Sequence, residues 1–147
     1  MTVAEPEKPG RLLLDTHTLL WMVEHHPRLG AETARILNRA AREDRIAVSA
    51  ITPWEIALLA SKKRIDLHRD TLDWINAALS LPGILLIPLD PAIAVASTRL
   101  PFEMHPDPAD RIIVATARHI GATLVTADQA LLSLAKKGHF KALNAER

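Results

Sequence analysis

The chain has 147 residues, of which 48% are hydrophobic, enough for one globular domain with a substantial core. It contains no cysteine, which excludes disulfides and thiolate metal sites and leaves only nitrogen and oxygen ligands for any metal. Its 18 basic and 17 acidic residues give a net charge of +1, so the overall charge neither favours nor excludes a nucleic-acid partner.

The first ten residues, MTVAEPEKPG, are rich in Pro, Glu and Lys and show no periodicity. This composition predicts a flexible leader at residues 1–10 and a single folded domain at residues 11–147. The segment lacks the basic and then apolar order of a signal peptide, and no apolar run in the chain approaches the roughly 18 to 20 residues of a membrane span. We therefore expect a cytoplasmic protein with no membrane partner.

From residue 11 onward, short apolar runs alternate with segments of helical periodicity. The runs predicted to be strands are Arg11–Leu14, Ile46–Val48, Ile84–Ile87, Thr123–Val125 and, more weakly, Phe140–Leu143. Helical spacing of apolar residues is clear in Ala31–Asp44 and Thr71–Leu81. This alternation predicts an α/β fold with a central, mostly parallel sheet of about five strands and helices on both faces.

Four acids follow or border these strands in chain order. Asp15 ends the first strand in RLLLDTHTLLW, and Glu55 falls in the predicted first turn of the helix that Thr52 and Pro53 begin. Asp110 lies in the predicted first turn of the helix opened by HPDPAD, and Asp128 follows the fourth strand in TADQALL. Ligands of parallel sheets bind beyond the carboxyl ends of the strands, so these four acids are predicted to converge there.

Helix capping is the alternative explanation for each acid taken singly. Thr52 and Glu55 have the spacing of a capping box, and Asp107 and Asp110 are spaced like an N-cap and its third helical residue. The two acids that follow strands have the same alternative, because each precedes a predicted helix. Capping does not explain why four anions would meet, since they repel unless protons or cations neutralise them. Loosely spaced carboxylates suit Mg²⁺ or Mn²⁺.

The motifs LLLDTHTLLW, SAITPWEIALLASKKRIDL, HPDPADRIIVATA and LVTADQAL resemble, in order and spacing, those of PIN-domain ribonucleases. Within that superfamily the chain is similar to the VapC-type toxins of bacterial type II toxin–antitoxin pairs, over nearly all of residues 11–143. The resemblance implies that Asp15, Glu55, Asp110 and Asp128 are the catalytic and metal-binding acids. Asp110 is taken as the third acid because it directly precedes Arg111-Ile112-Ile113, which leaves Asp107 as a cap.

The resemblance also implies an activity and partners. It implies a Mg²⁺-dependent endoribonuclease, in which Mn²⁺ can substitute, that cleaves RNA with metal-activated water and leaves 3′-hydroxyl and 5′-phosphate ends. Thr16 and Thr126 match polar positions beside the acids, where a hydroxyl can orient a carboxylate or a water. The implied partners are the RNA substrate, a small cognate antitoxin and a second copy of the chain in a homodimer.

Three residues are candidate substrate contacts, each with an ordinary alternative. His105 precedes the acids of HPDPAD in a loop, Lys62 ends the Glu55 helix, where a cation is favoured by the helix dipole, and Arg111 adjoins an acid that it could pair with instead. His17 is expected to point away from Asp15. With five aromatic residues and no tyrosine, the sequence favours recognition of RNA shape over base stacking.

Two helical segments are too apolar for a single buried face, and Trp21 and Trp54 within them are the candidate interface residues. Two other functions stay open at this point. The chain could be a PIN module that binds RNA or protein without catalysis, although such a module has no need of four acids. It could also be an RNA-processing PIN nuclease that has no antitoxin.

Overall fold

The computed structural model describes residues 10–147, so the predicted leader lies outside the described residues except for Gly10. Within this range the strands are β1 (Leu12–Leu14), β2 (Ile46–Ser49), β3 (Ile84–Ile87), β4 (Thr123–Thr126) and β5 (Lys141–Asn144). The helices are α1 (Thr16–Glu24), α2 (Ala31–Arg42), α3 (Ile51–Ser61), α4 (Thr71–Leu79), α5 (Pro91–Thr98), α6 (Pro108–Ile120) and α7 (Gln129–Lys136). None of the helices in residues 10–147 has the length and apolar character needed to cross a membrane.

The five strands form one sheet in the order β3-β2-β1-β4-β5, and all four pairings are parallel. This confirms the predicted α/β fold with a central sheet. Side chains of β1 alternate between the two faces of the sheet. Leu12 and Leu14 join the core beneath α1 to α4, whereas Leu13 joins the core beneath α6 and α7. Burial on both faces explains why a run of three leucines forms this strand.

The observed elements match the predicted ones apart from their ends. Helix α2 stops at Arg42 rather than Asp44, because Asp44 adopts a left-handed conformation with φ 54°. The Arg45 N–H then donates to the Ala40 carbonyl at 2.9 Å, as in a Schellman helix end. Helix α4 stops at Leu79, two residues before its predicted end.

The strand order reverses direction beside β1, and this places a crevice at the carboxyl ends of β1 and β4. From β1 the chain proceeds to β2 and β3 on one side, whereas β4 and β5 lie on the other side. At this edge the ends of β1 and β4 stay paired, because the Asp15 N–H donates to the Val125 carbonyl at 3.1 Å. Ligand sites of open α/β sheets lie at such points.

Candidate metal and active site

Asp15 stands at the carboxyl end of β1 and is only 8% exposed. Its Oδ1 accepts a hydrogen bond of 2.9 Å from the Thr18 N–H, so it caps α1, as the capping alternative predicted. Its Oδ2 accepts a hydrogen bond of 2.5 Å from the Thr126 hydroxyl at the end of β4. Both oxygens of this carboxylate therefore have donors within the protein.

Thr126 connects two of the predicted acids. Besides donating to Asp15, its Oγ1 accepts a hydrogen bond of 3.0 Å from the Asp128 N–H. Asp128 in turn caps α7 by accepting from the Leu131 N–H at 3.1 Å. This chain of hydrogen bonds sets the relative positions of Asp15 and Asp128, which is the kind of role predicted for Thr126.

Helix α6 presents Asp107 and Asp110 at its first turn. Asp107 is the N-cap, and its Oδ1 accepts from the Asp110 N–H at 2.9 Å, as the spacing predicted. Capping uses one oxygen and leaves the other available. Asp110 is the third helical residue, and its carboxylate is half-buried among the other acids.

The capping-box explanation of Thr52 and Glu55 is wrong. Helix α3 begins at Ile51 after the N-cap Ala50, so Glu55 lies beyond the first turn, and the prediction that placed it there is wrong as well. The Thr52 hydroxyl is buried and makes no hydrogen bond to any residue in the range 10–147. Glu55 is half-buried and does not cap the helix, so a contribution to helix stability does not explain why a carboxylate occupies this position.

The acids of α3 and α6 come together in two groups that share Asp110. One group is Glu55, Asp107 and Asp110, and the other is His105, Asp110 and Asp128. Within each group one donor atom per residue lies within 4.8 Å of the others. Asp15 belongs to neither of these close groups among the described residues, although its negative charge acts on Asp110. Of the four predicted acids, Asp110 is therefore close to Glu55 in one group and to Asp128 in the other, whereas Asp15 lies outside both groups.

The crowded carboxylates are electrostatically strained. Burial, the largest cause, and the negative charges of Asp107, Glu55, Asp128 and Asp15 together raise the pKa of Asp110 from 3.8 to about 7. Burial also raises the pKa of Glu55, an effect that the nearby Thr16 hydroxyl opposes and Asp107 reinforces. Part of the acidic group therefore carries a proton near neutral pH when no cation is present.

The donor set fits a hard divalent cation. The groups offer carboxylate oxygens and one imidazole, at separations that allow several of them to approach one ion. The Thr16 hydroxyl is a second indication, besides the donor set, that this site binds a polar ligand. Its buried hydroxyl lies near Glu55 but makes no hydrogen bond of ordinary geometry with the part of the chain that the structure describes. A cation with its bound waters would satisfy both the hydroxyl and the uncompensated charge.

Arg111 braces the loop that precedes α6. Its Nε donates to the Ser97 carbonyl at 2.9 Å and its Nη1 approaches the Met104 carbonyl at 3.4 Å. These contacts hold α5 and the loop together and favour a structural role over substrate contact. Lys62 stands exposed at the C-terminal end of α3, where its charge is favourable for the helix.

The two candidate interface residues differ in their surroundings. Trp21 is 8% exposed and lies in the core, where His26 stacks on its ring at 5.7 Å and the Arg28 guanidinium lies 4.6 Å from the ring centre. Little of Trp21 is left for a partner, so its main role is in packing. Trp54, by contrast, is 51% exposed and directly precedes Glu55.

The sequence interpretation missed that Asp107 belongs to the acidic group as well as capping α6. A signal was present in HPDPAD. An aspartate at the N-cap lies beside the third helical residue, and its second oxygen remains free. His105, expected at the rim of the site, lies within it.

The chain is similar in sequence to known proteins. The PIN domain family model matches residues 12–137. Ribonuclease VapC22 of Mycobacterium tuberculosis is 34% identical over 122 residues, which are 83% of this chain and 90% of that protein.

Two solved structures share the fold. The crystal structure of VapBC2 from Rickettsia felis bound to a DNA fragment from its promoter matches with a TM-score of 0.64 and 17% identity, covering 90% of this chain and 97% of that one. The structure of FitAcB from Neisseria gonorrhoeae matches with a TM-score of 0.60 and 23% identity, covering 91% and 97%. The family match and the VapC22 identity together show that this chain belongs to the PIN-domain family and, within it, to the VapC-type ribonucleases.

Proposed function

We propose that this chain is the toxin of a type II toxin–antitoxin pair and acts as a metal-dependent endoribonuclease in the cytoplasm. The observation that carries the proposal is the convergence of Glu55, Asp107, Asp110 and Asp128 at the carboxyl edge of the sheet, with more negative charge than the protein itself neutralises. Helix capping accounts for single acids here but not for Glu55 or for their proximity. The relationship to Ribonuclease VapC22 supports RNA as the substrate.

Each part of the site has a distinct task in this proposal. Asp110, with Glu55 and Asp128, holds the cation, and Mg²⁺ is the proposed ion with Mn²⁺ as a substitute. Bound there, a divalent ion supplies a polarised water and neutralises charge that develops on the phosphodiester. Asp15 contributes negative charge from behind and, through Thr126, keeps the ends of β1 and β4 at a constant separation. Lys62 is a candidate contact for the RNA backbone.

The proposed partners are a small antitoxin and a second copy of the chain. Trp54 offers an exposed apolar side chain beside Glu55, where a bound segment would lie close to the acids. Further exposed apolar side chains on β3 and in the segments that follow it are Leu85, Leu86, Leu89 and Val95. The structures of VapBC2 and FitAcB, which share the fold, support a toxin–antitoxin assignment.

The test is cleavage of labelled RNA by the purified chain with Mg²⁺, with Mn²⁺ and with a chelator. We expect cleavage only with a divalent ion and a loss of more than about a hundredfold in Asp15→Asn and Asp110→Asn, because each substitution removes negative charge that attracts the cation. Asp44→Asn is the matched control, since Asp44 is exposed and Asn tolerates its left-handed backbone. Near wild-type cleavage by a folded Asp110→Asn protein would contradict the proposal and favour a PIN module that only binds.

A second test addresses the partners. The chain is co-expressed with any small protein whose gene lies immediately upstream, and copurification is measured for the wild type and for Trp54→Gln. We expect a complex in which RNA cleavage is inhibited and which Trp54→Gln weakens. Active chain with no inhibitory neighbour would instead indicate an RNA-processing nuclease.

A further inference from the structure

His105 lies in the loop between α5 and α6, with its imidazole half-buried against the acids. The side chains of His105 and Asp110 are 35% and 23% exposed, and the His105 Nε2 is 3.4 Å from the Asp110 Oδ2. Hydrogen bonds between nitrogen and a carboxylate are about 2.7 to 3.2 Å long, so this pair is too far apart for a good one. Direct pairing therefore does not explain the position of the imidazole well.

The same separation is close to that of two ligands of one metal ion. An octahedral ion about 2.1 Å from each of two donors holds adjacent donors about 3.0 Å apart, so a small approach of the His105 and Asp110 side chains would let them share one ion. Asp128 completes this group, since its carboxylate lies within 4.8 Å of both other donors. One donor atom from each of the three side chains is therefore close enough to the other two for a shared ion.

The loop that carries His105 is held in place. Arg111 approaches the carbonyl of the preceding residue, Met104, at 3.4 Å and anchors itself on Ser97. Pro106 and Pro108 flank the capping residue Asp107 and restrict the backbone between the imidazole and α6. A ligand held in this way binds an ion with little loss of conformational entropy.

We propose that His105 supplies a nitrogen ligand to a divalent ion shared with Asp110 and Asp128, and that this ligand strengthens the binding of Mn²⁺ more than that of Mg²⁺. The inference rests on the proposed function, because it assigns a further ligand to the same site. Mg²⁺ strongly prefers oxygen donors and gives up its waters reluctantly, whereas transition ions accept imidazole readily. Removing the imidazole is therefore expected to affect the two ions unequally.

The first measurement detects the nitrogen directly. Metal-free protein receives less than one equivalent of Mn²⁺, and electron spin-echo modulation is recorded. We expect the modulation of a coordinated imidazole nitrogen in the wild type and its loss in His105→Gln. His17→Gln is the matched control: His17 is exposed and close enough to Glu55 to lower the pKa of that acid, yet it is outside the His105 group. The control should keep the nitrogen signal.

The second measurement compares affinities by calorimetry on the same proteins. In His105→Gln we expect Mn²⁺ to bind at least about tenfold more weakly and Mg²⁺ to change by less than about threefold. Circular dichroism and the melting temperature confirm that the variant is folded.

Three outcomes would overturn the inference in different ways. If wild-type protein binds Mn²⁺ without nitrogen modulation and His105→Gln binds it equally well, His105 is not a ligand, while the proposed nuclease site stands. If the wild type binds neither ion at millimolar concentration, both the inference and the proposed function fail. Equal weakening of both ions in His105→Gln also contradicts the claimed stronger effect on Mn²⁺.

Discussion

Asp15 and Asp110 are both acids at the same edge of the sheet, but their surroundings are opposite. Asp15 is the more buried, yet both of its oxygens accept hydrogen bonds, one from the Thr18 N–H and one from the Thr126 hydroxyl. Asp110 is more exposed, but it faces three other carboxylates and an imidazole at a distance too long for a good hydrogen bond. The comparison shows that burial alone does not leave a carboxylate without compensation. We propose that a cation binds where the protein leaves negative charge uncompensated, as at Asp110.

The largest effect that follows from this contrast is stabilisation by metal. An ion that binds only the native state raises the free energy of unfolding by about 2.7 kcal/mol at a hundred times its Kd. We expect millimolar Mg²⁺ or Mn²⁺ to raise the melting midpoint of the wild type and to raise that of Asp110→Asn much less. Differential scanning fluorimetry with and without the ions checks this. An unmoved wild-type midpoint would show that the acids do not bind these ions.

The two acids should respond with opposite sign when each is replaced in the metal-free protein. Asp110→Asn removes a repelled charge and should raise the free energy of unfolding at neutral pH by about 1 to 2 kcal/mol. Asp15→Asn removes the acceptor for the Thr126 hydroxyl and should lower it by about 1 to 2 kcal/mol. Urea denaturation of both variants beside Asp44→Asn measures the difference. Destabilisation of the same size in both variants would remove the distinction.

The pH dependence sharpens the same contrast. The pKa of Asp110 is raised from 3.8 to about 7 on folding. Its protonation therefore favours the native state fully below about 3.8, and that contribution is lost as the pH rises through about 7. The stability advantage of metal-free Asp110→Asn over the wild type should grow by about 1 kcal/mol or more between pH 5 and pH 8, since one pKa unit corresponds to about 1.4 kcal/mol. An advantage that stays constant across this range would argue against the raised pKa.

The smallest effect is expected at Asp107. Asn caps helices about as well as Asp, so Asp107→Asn should change the free energy of unfolding by less than about 0.5 kcal/mol. RNA cleavage should fall far less than in Asp110→Asn, because Asp107 is exposed and already engages one oxygen as a cap. Parallel cleavage assays of the two variants decide between these acids. A dead Asp107→Asn together with an active Asp110→Asn would reverse their roles.

Much of the fold was predictable because it depends on local patterns. The run of three leucines in β1 predicts a strand buried on both faces, and strands that alternate with amphipathic helices predict a parallel sheet. The helix caps at Asp15, Asp107 and Asp128 were predictable as well, because each carboxylate accepts a hydrogen bond from the backbone N–H only three residues later in the chain. The capping box at Thr52 failed because the N-cap of α3 is Ala50, two residues earlier than the sequence signal indicates.

The amino-acid sequence by itself determined the order of the elements and brought the acids to one edge of the sheet, because the carboxyl ends of parallel strands share that edge. Only the tertiary structure decided which charges are compensated. The Thr126 hydroxyl that donates to Asp15 lies 111 residues away in the chain. Asp110 of α6 lies near Glu55 of α3 and near Asp128, the N-cap of α7. The burial of Trp21 and exposure of Trp54 also depend on packing between distant segments. Such long-range distances determine local dielectric and charge, and no short sequence pattern encodes them.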